Sequence, residues 1–102
     1  MDEYKIAIVD DDITMITTVR GILTKNDMKT VPMTSGKALL DFIKIQTPDL
    51  ILLDVMMPEM DGFETYEALR MTEKELGKRE TPVIFLTAED SREVEAKALE
   101  LG

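Results

Sequence analysis

Three short apolar runs, each ending at a single polar residue, are the clearest feature of the hydrophobic pattern. The runs and their polar ends are Ile6–Val9 with Asp10, Leu50–Leu53 with Asp54, and Val83–Leu86 with Thr87. Apolar runs of this length, separated by amphipathic stretches long enough for helices, predict strands that are buried on both faces of a parallel sheet. Because ligands bind beyond the carboxyl ends of such strands, two carboxylates and a hydroxyl are predicted to meet at a candidate site.

The stretches between the runs have the spacing of amphipathic helices. The first helix begins near Ile13, and its inward face is predicted to pack on the sheet. The positions of that face are Ile13, Ile16, Val19, Arg20 and Leu23. The second helix is capped by Thr34 or Ser35, and the third ends at Gly77 or at the charged run Lys78–Glu80. A fourth helix is predicted between Asp90 and Gly102.

A weaker predicted strand near Met28–Met33 indicates which strands are neighbours in the sheet. It contains Pro32, which has no N–H for a sheet hydrogen bond and therefore favours an edge position. The next strand must then pair on the other side of the first strand. Asp10 is therefore predicted to face Asp54 across the crevice between these two strands.

The segment Met56–Gly62, which follows the second carboxylate, is predicted to be a loop. Pro58 fixes a backbone angle, and Asp61-Gly62 is predicted to be a turn pair. The three methionines of the segment are predicted to fill gaps in the core rather than to bind a ligand.

Composition narrows the classes of function. The chain has 102 residues, 44% of them hydrophobic, which is typical of one globular domain with a substantial core. A formal net charge of −9 and the lack of any basic run oppose direct binding to nucleic acid or to an anionic membrane. The sequence contains no histidine and no cysteine, which excludes a histidine-based triad, a histidine zinc site and disulfides. Because neither a secretory signal nor an apolar segment of membrane length is present, a cytoplasmic location is expected.

The acidic residues at the strand ends predict a metal site. Two like charges about 4 Å apart repel by roughly 4 kcal/mol at an effective dielectric constant near 20, so the triplet Asp10–Asp12 facing Asp54 needs neutralisation. A divalent cation with oxygen ligands supplies it, and Mg²⁺ fits best, with Mn²⁺ as a substitute. Taken alone, the triplet is better explained as a cap for the helix near Ile13. Asp54 favours the metal site, because a lone carboxylate after so apolar a run would be partly desolvated without a partner.

Three segments, in the same order along the chain, resemble the response-regulator receiver domain of bacterial two-component signalling. The segments are Ile8–Asp12, Leu52–Gly62 and Pro82–Ala88. The middle segment, an aspartate followed by a Pro-x-Met-Asp-Gly loop, is highly specific, and the resemblance runs from about Lys5 to Gly102. It implies an α/β domain with a flavodoxin-like (CheY-like) open parallel sheet of strand order 2-1-3-4-5.

Members of that family continue into a fifth strand and helix, which include a lysine that pairs with the phosphoryl group and an aromatic switch residue. The chain is therefore expected to be a receiver domain over residues 1–102, truncated to (βα)4 of a (βα)5 fold. Lys97, in the predicted fourth helix, does not occupy the place of the family lysine. The open apolar edge of the fourth strand predicts a dimer or a strand-exchanged oligomer.

The resemblance also implies a role for each site residue. Asp54 resembles the phosphoacceptor, which takes a phosphoryl group from a sensor histidine kinase and switches a covalently linked output domain. The groups corresponding to the Mg²⁺ site are Asp10, Asp11, Asp54 and the Met56 backbone carbonyl. Thr87 corresponds to the hydroxyl that hydrogen-bonds the phosphate and shifts with it, and the side chains of Met56 and Glu89 correspond to positions that tune phosphate lifetime. Such a domain is a signalling phosphoprotein rather than an enzyme.

Two other functions stay open. The run Asp10–Thr14 also fits the Asp-x-Asp-x-Thr signature of haloacid-dehalogenase-like phosphohydrolases, with Asp10 as nucleophile and Asp12 as the acid–base group. Thr87 would be the strand-end threonine of that family, but the hypothesis leaves Asp54 and its loop unexplained. The third function is that of a degenerate receiver acting only as an interaction module. The intact acidic residues argue against it, and the missing lysine favours it.

Overall fold

The computed structural model describes residues 4–86, in which strands and helices alternate along the chain. The elements are β1 (Lys5–Val9), α1 (Ile13–Lys25), β2 (Lys29–Met33), α2 (Gly36–Ile43), β3 (Leu50–Asp54), α3 (Gly62–Glu75) and β4 (Val83–Leu86). Every strand and helix predicted for this range is present. Thr87 and the predicted fourth helix lie outside the described residues. None of the described helices is long and apolar enough to cross a membrane.

The strands form one parallel sheet of order β2-β1-β3-β4. The edge position of β2 is confirmed: Pro32 aligns with Ile8 of β1, and an edge strand tolerates the missing N–H. The predicted pairing of β1 with β3 is also confirmed, with Val9 beside Leu53. Chain order reverses between these two strands, so the crevice beyond their carboxyl ends is the place where a ligand is expected to bind.

Two hydrophobic cores lie on opposite faces of the sheet. The core under α2 and α3 includes Ala7, Val9, Leu39, Ile43, Ile51, Leu53 and Leu69. The core under α1 includes Ile6, Ile8, Ile16 and Leu52, with Val19 and Leu23 packed against them. Alternate residues of β1 and β3 thus enter opposite cores, which confirms that both strands are buried on both faces. Full burial of one such Leu or Ile stabilises the fold by about 1.5–3 kcal/mol, so the strand ends are held firmly.

Some positions predicted to be buried are exposed. Ile84 of β4 is 52% exposed, so the prediction that β4 is buried on both faces is wrong. Ile84 aligns with Leu52 on the face that α1 covers, but of β4 it is Leu86, not Ile84, that packs against the core under α1. Ile13 is 70% exposed, because it is the first residue of α1 and lies beyond the last paired residue of β1, and Arg20 is exposed as well.

The ends and contacts of α2 and α3 follow from small residues. Ser35 caps α2, its hydroxyl accepting a hydrogen bond from the Ala38 N–H at 3.1 Å. Gly77, just after α3, adopts a φ of 69°, a left-handed conformation that glycine tolerates. A Cβ atom at Gly36 would lie 2.1 Å from Oγ1 of Thr65, so the two helices pack closely through this glycine.

A buried carboxylate fixes the connection between α3 and β4. Glu73 is 1% exposed, and its two oxygens accept hydrogen bonds from Nη1 of Arg70 at 2.7 Å and from the Thr81 backbone N–H at 2.8 Å. The Arg70 guanidinium also lies 4.6 Å from the centre of the Tyr66 ring. Nothing in the charged sequence around Glu73 predicts this burial.

Candidate functional site

Three carboxylates meet where the chain order of the sheet reverses. Asp54 is the last residue of β3, Asp10 directly follows β1, and Asp11 comes next in the chain. One oxygen from each of the three lies within 4.8 Å of the others. These three residues are called the acidic cluster below. The predicted meeting of Asp10 and Asp54 is thus present in the structure.

Members of the acidic cluster differ in burial. Asp10 is 4% exposed, Asp54 is half-buried and Asp11 is exposed. The Asp10 backbone N–H donates to the Met33 carbonyl oxygen at 3.0 Å, and Oδ1 of Asp10 accepts a hydrogen bond from the Asp12 N–H at 2.9 Å. The cluster is therefore anchored on the side of Asp10 and open to solvent on the side of Asp11.

Burial and neighbouring negative charge raise the pKa of Asp54 from 3.8 to about 6. Desolvation contributes most to this rise, followed by the charge of Asp10, and Asp11 adds a smaller repulsion. The Met56 backbone N–H donates to Oδ1 of Asp54 at 3.2 Å and opposes the rise. A cation among these oxygens would relieve the repulsion, and carboxylate oxygens are ligands that Mg²⁺ prefers. The residues present therefore fit the predicted divalent cation.

Asp12 has a different role from its two neighbours. Its side chain accepts hydrogen bonds from the N–H groups of Thr14 at 2.9 Å and Met15 at 3.4 Å, which makes Asp12 the N-cap of α1. The helix-cap explanation of the acidic triplet is thus correct for this residue, whereas Asp10 and Asp11 join the acidic cluster. The phosphohydrolase hypothesis needs Asp12 as a free acid–base group, and its capping bonds oppose that role.

The start of α3 holds the loop after Asp54 close to the strand. The Gly62 N–H donates to the Val55 carbonyl oxygen at 2.9 Å, and a Cβ atom at Gly62 would lie 2.3 Å from the Asp54 carbonyl oxygen. Asp61 and Glu64 form a capping box with hydrogen bonds of 2.8 and 3.1 Å. The predicted turn pair Asp61-Gly62 is instead the N-cap and first residue of α3. The sequence signal that was missed is this Asp-Gly pair, followed three residues after Asp61 by a glutamate.

The loop methionines are divided between core and surface. Met57 is 8% exposed and belongs to the core under α2 and α3, as predicted. Met56 is 75% exposed, so its prediction as a gap-filler is wrong, and its contact with the site is the hydrogen bond from its backbone N–H to Asp54. The Met56 carbonyl as a metal ligand stays a prediction. So does the role of Thr87, which lies outside the described residues.

Comparison with known proteins agrees with this arrangement. A family model described as the response regulator receiver domain matches residues 6–102. The transcriptional regulatory protein CpxR of Escherichia coli strain K12 is 38% identical over 98 residues, which cover 96% of this chain and 39% of CpxR. A protein-glutamate methylesterase/protein-glutamine glutaminase of Trichodesmium erythraeum is 40% identical over 90 residues, which cover 86% of this chain and 24% of that protein.

Solved structures resemble the chain over nearly its whole length. The receiver domain of the histidine kinase CKI1 from Arabidopsis thaliana, complexed with Mg²⁺, matches with a TM-score of 0.83 and 27% identity, over 97% of this chain and 78% of that chain. Together with the observed strand order, this likeness bears out the flavodoxin-like, CheY-like sheet that the resemblance implies. The curated relatives are much longer than the matched region, since the chain spans 39% of CpxR.

Proposed function

The chain belongs to the response regulator receiver domain family, and from that premise we propose that Asp54 accepts a phosphoryl group from the phosphohistidine of a sensor histidine kinase. The observation that carries the proposal is the acidic cluster. Asp54 is the last residue of β3, at the carboxyl end of the sheet, where ligands are expected. It is half-buried beside Asp10, and its other neighbour, Asp11, is exposed to solvent. A carboxylate that attacks an anionic phosphoryl group needs a nearby cation, and this cluster offers ligands for one.

The proposed transfer forms one bond and breaks another. An ionised oxygen of Asp54 attacks phosphorus, and the P–N bond breaks. The electron pair of that bond stays on the imidazole nitrogen, which takes a proton from solvent, and the product is an aspartyl phosphate. Because the Asp54 pKa is about 6 without metal, the reactive carboxylate predominates above that pH. The Met56 backbone N–H, 3.2 Å from Oδ1, orients the carboxylate.

The groups that would hold Mg²⁺, or Mn²⁺ as a substitute, are Asp10, Asp11, Asp54 and the Met56 backbone carbonyl. When bound, the cation neutralises the carboxylates and the charge that spreads over the phosphoryl oxygens. Support comes from the three carboxylate oxygens within 4.8 Å of one another and from the similar receiver domain that is complexed with Mg²⁺. The nearly buried Asp10 is the fixed member of this set, because it is tied to the Asp12 N–H.

The domain of residues 1–102 would act as a switch rather than as a catalyst. Thr87 would hydrogen-bond a phosphoryl oxygen and move with it, changing the surface that a covalently linked output domain contacts. The extra length of CpxR beyond the matched 39% supports an output domain in the whole protein. A cytoplasmic location is proposed with it, which suits a chain without cysteine.

Phosphoramidate tests this proposal directly, because it contains the same type of P–N bond as phosphohistidine. The protein is incubated with Mg²⁺ and phosphoramidate, and any added phosphoryl group is located by intact and peptide mass. We expect the label on Asp54, lost in Asp54→Asn and retained in Asp12→Asn. The second variant is the matched control, because asparagine is as good an N-cap as aspartate.

Two other outcomes would contradict the proposal. Steady release of phosphate that Asp10→Asn abolishes would support a phosphohydrolase. A folded protein with neither label nor turnover would be an interaction module.

A further inference from the structure

A cavity of about 420 Å³ opens beside the connection between α3 and β4. This connection leads into the amino end of β4, so the cavity lies at the opposite end of the parallel sheet from the acidic cluster. Its charged lining consists of Arg70, Glu73, Lys74, Lys78, Arg79 and Glu80. Four cationic side chains thus surround one cavity in a chain whose formal net charge is −9. The volume is in the range of sites for small ligands, roughly 300–1,000 Å³.

The two acidic residues of the cavity offset only part of this positive charge, because both lie against the same cationic side chain, Arg70. Glu73 is buried, and both of its oxygens are occupied by Arg70 and by the Thr81 N–H. Within residues 4–86, Lys74 and Arg79 form no ion pair. The Lys78 ammonium donates to the Ile43 carbonyl oxygen, which leaves Lys74 and Arg79 as the cationic side chains of the lining without a partner among the described residues.

Arg70 adds a second, independent observation. Its Nε is buried and has no hydrogen-bond partner among the described residues. The Glu80 carboxylate lies 3.9 Å from Nε, which is beyond hydrogen-bonding distance. A buried N–H without an acceptor is costly and rare, and it points to an acceptor that binds from outside the chain. Since the Glu80 side chain is 74% exposed, it can turn toward solvent and admit one.

We propose that this cavity binds the anionic group of a small ligand, a phosphate or a carboxylate. Lys74 and Arg79 supply the ion pairs, and Nε of Arg70 donates the hydrogen bond that it lacks. The rest of Arg70 is held in place by Glu73 and by the Tyr66 ring, so its guanidinium is already oriented. The site is separate from the acidic cluster and does not depend on phosphorylation of Asp54.

Nuclear magnetic resonance titration of backbone amides tests the proposal, with inorganic pyrophosphate as the phosphate probe and citrate as the carboxylate probe. Both titrations use metal-free protein at constant ionic strength, because the anionic chain responds to salt in general. We expect saturable shifts confined to amides between Arg70 and Glu80. The preferred probe identifies the ligand chemistry: tighter binding of pyrophosphate indicates a phosphate, and tighter binding of citrate indicates a carboxylate.

Two double variants separate a site from general charge effects. Lys74→Gln with Arg79→Gln should weaken binding of the preferred probe by at least about tenfold, because two charge-assisted contacts are lost. Arg20→Gln with Lys25→Gln removes the same charges from exposed positions of α1, on the other face of the sheet, and should leave binding unchanged. The single variant Lys74→Gln, at an exposed helix position, repeats the test if the double variant does not fold.

The proposal is overturned if the shifts do not saturate with either probe. It is also overturned if both double variants weaken binding equally, since the effect would then be one of net charge alone. Neither result would bear on the label at Asp54, so failure here and failure of the proposed function can be told apart.

Discussion

The Asp54 carboxyl group is partly buried and is repelled by the neighbouring carboxylates of the acidic cluster. Its pKa is raised from 3.8 to about 6, by burial first and then by the charge of Asp10. In the metal-free protein the folded state therefore binds more protons than the unfolded state between these two values. The contribution of Asp54 to the free energy of unfolding is largest below pH 3.8 and is lost as the pH rises through about 6.

Asp54→Asn should remove this part of the pH dependence. In urea unfolding of metal-free protein, we expect the wild type to lose more stability than the variant between about pH 4 and about pH 7. At the higher pH the variant should be the more stable by on the order of 1 kcal/mol, because a repulsion that solvent partly screens is gone. Equal pH dependence in the two proteins would contradict the raised pKa.

At Gly62 the backbone of the site leaves no room for a side chain. Gly62→Ala would place a Cβ atom 2.3 Å from the Asp54 carbonyl oxygen, so we expect a loss of about 1–3 kcal/mol of stability and slower labelling of Asp54. Gly21→Ala is the matched control. A Cβ atom there meets nothing within 4 Å, and this variant should gain about 0.5–1 kcal/mol, because glycine inside a helix is unfavourable. Urea unfolding of both variants checks the contrast, and a Gly62→Ala protein as stable as the wild type would contradict it.

For single residues, the sequence predicts which side chains form the site better than it predicts where each side chain lies. Asp10 and Asp12 carry the same functional group. Asp12 caps α1 because it directly precedes the first residue of that helix, whereas Asp10 directly follows β1 and joins the acidic cluster. Met56 is exposed and Met57 is buried, and nothing in two adjacent methionines indicates which of them enters the core.

At the scale of elements, the apolar runs predict strands well because β1 and β3 are central and each is covered on both faces. Pro32 predicts the edge strand because proline has no backbone N–H for a sheet hydrogen bond, a property of that single residue. The prediction fails at β4, where Ile84 is exposed although Leu86 of the same strand packs against the core under α1. Burial of Glu73 likewise depends on Thr81, eight residues away, rather than on sequence neighbours.

The connection between α3 and β4 should depend strongly on Glu73. Glu73→Gln keeps the shape of the side chain but removes the charge that pairs with Arg70, so we expect a loss of about 2–3 kcal/mol in urea unfolding. Glu75→Gln, two residues away and exposed, is the matched control and should change stability by less than about 0.5 kcal/mol. Similar small effects of both variants would show that the buried carboxylate does not fix this connection.

On the scale of the whole molecule, opposite charges gather at opposite ends of one sheet. The acidic cluster lies at the carboxyl ends of the strands, and the cationic cavity lies beside the amino end of β4. Strands of five residues, such as β1 and β3, separate the two ends by about 17 Å. The alternation of strands and helices made the acidic end predictable, because parallel strands bring their carboxyl ends together. The cationic end was not predictable, since it depends on side chains that a helix and a loop bring together.

We propose that the acidic cluster holds a divalent cation, which makes Asp54 a phosphoacceptor. The test is the rate at which phosphoramidate labels Asp54, measured by peptide mass with Mg²⁺ and after chelation. We expect chelation to slow the labelling by at least about a hundredfold, because charge neutralisation at the phosphoryl group is worth several kcal/mol, and added Mn²⁺ to restore it. Labelling of Asp54 at the same rate with and without the chelator would show that the phosphoacceptor does not depend on a divalent cation.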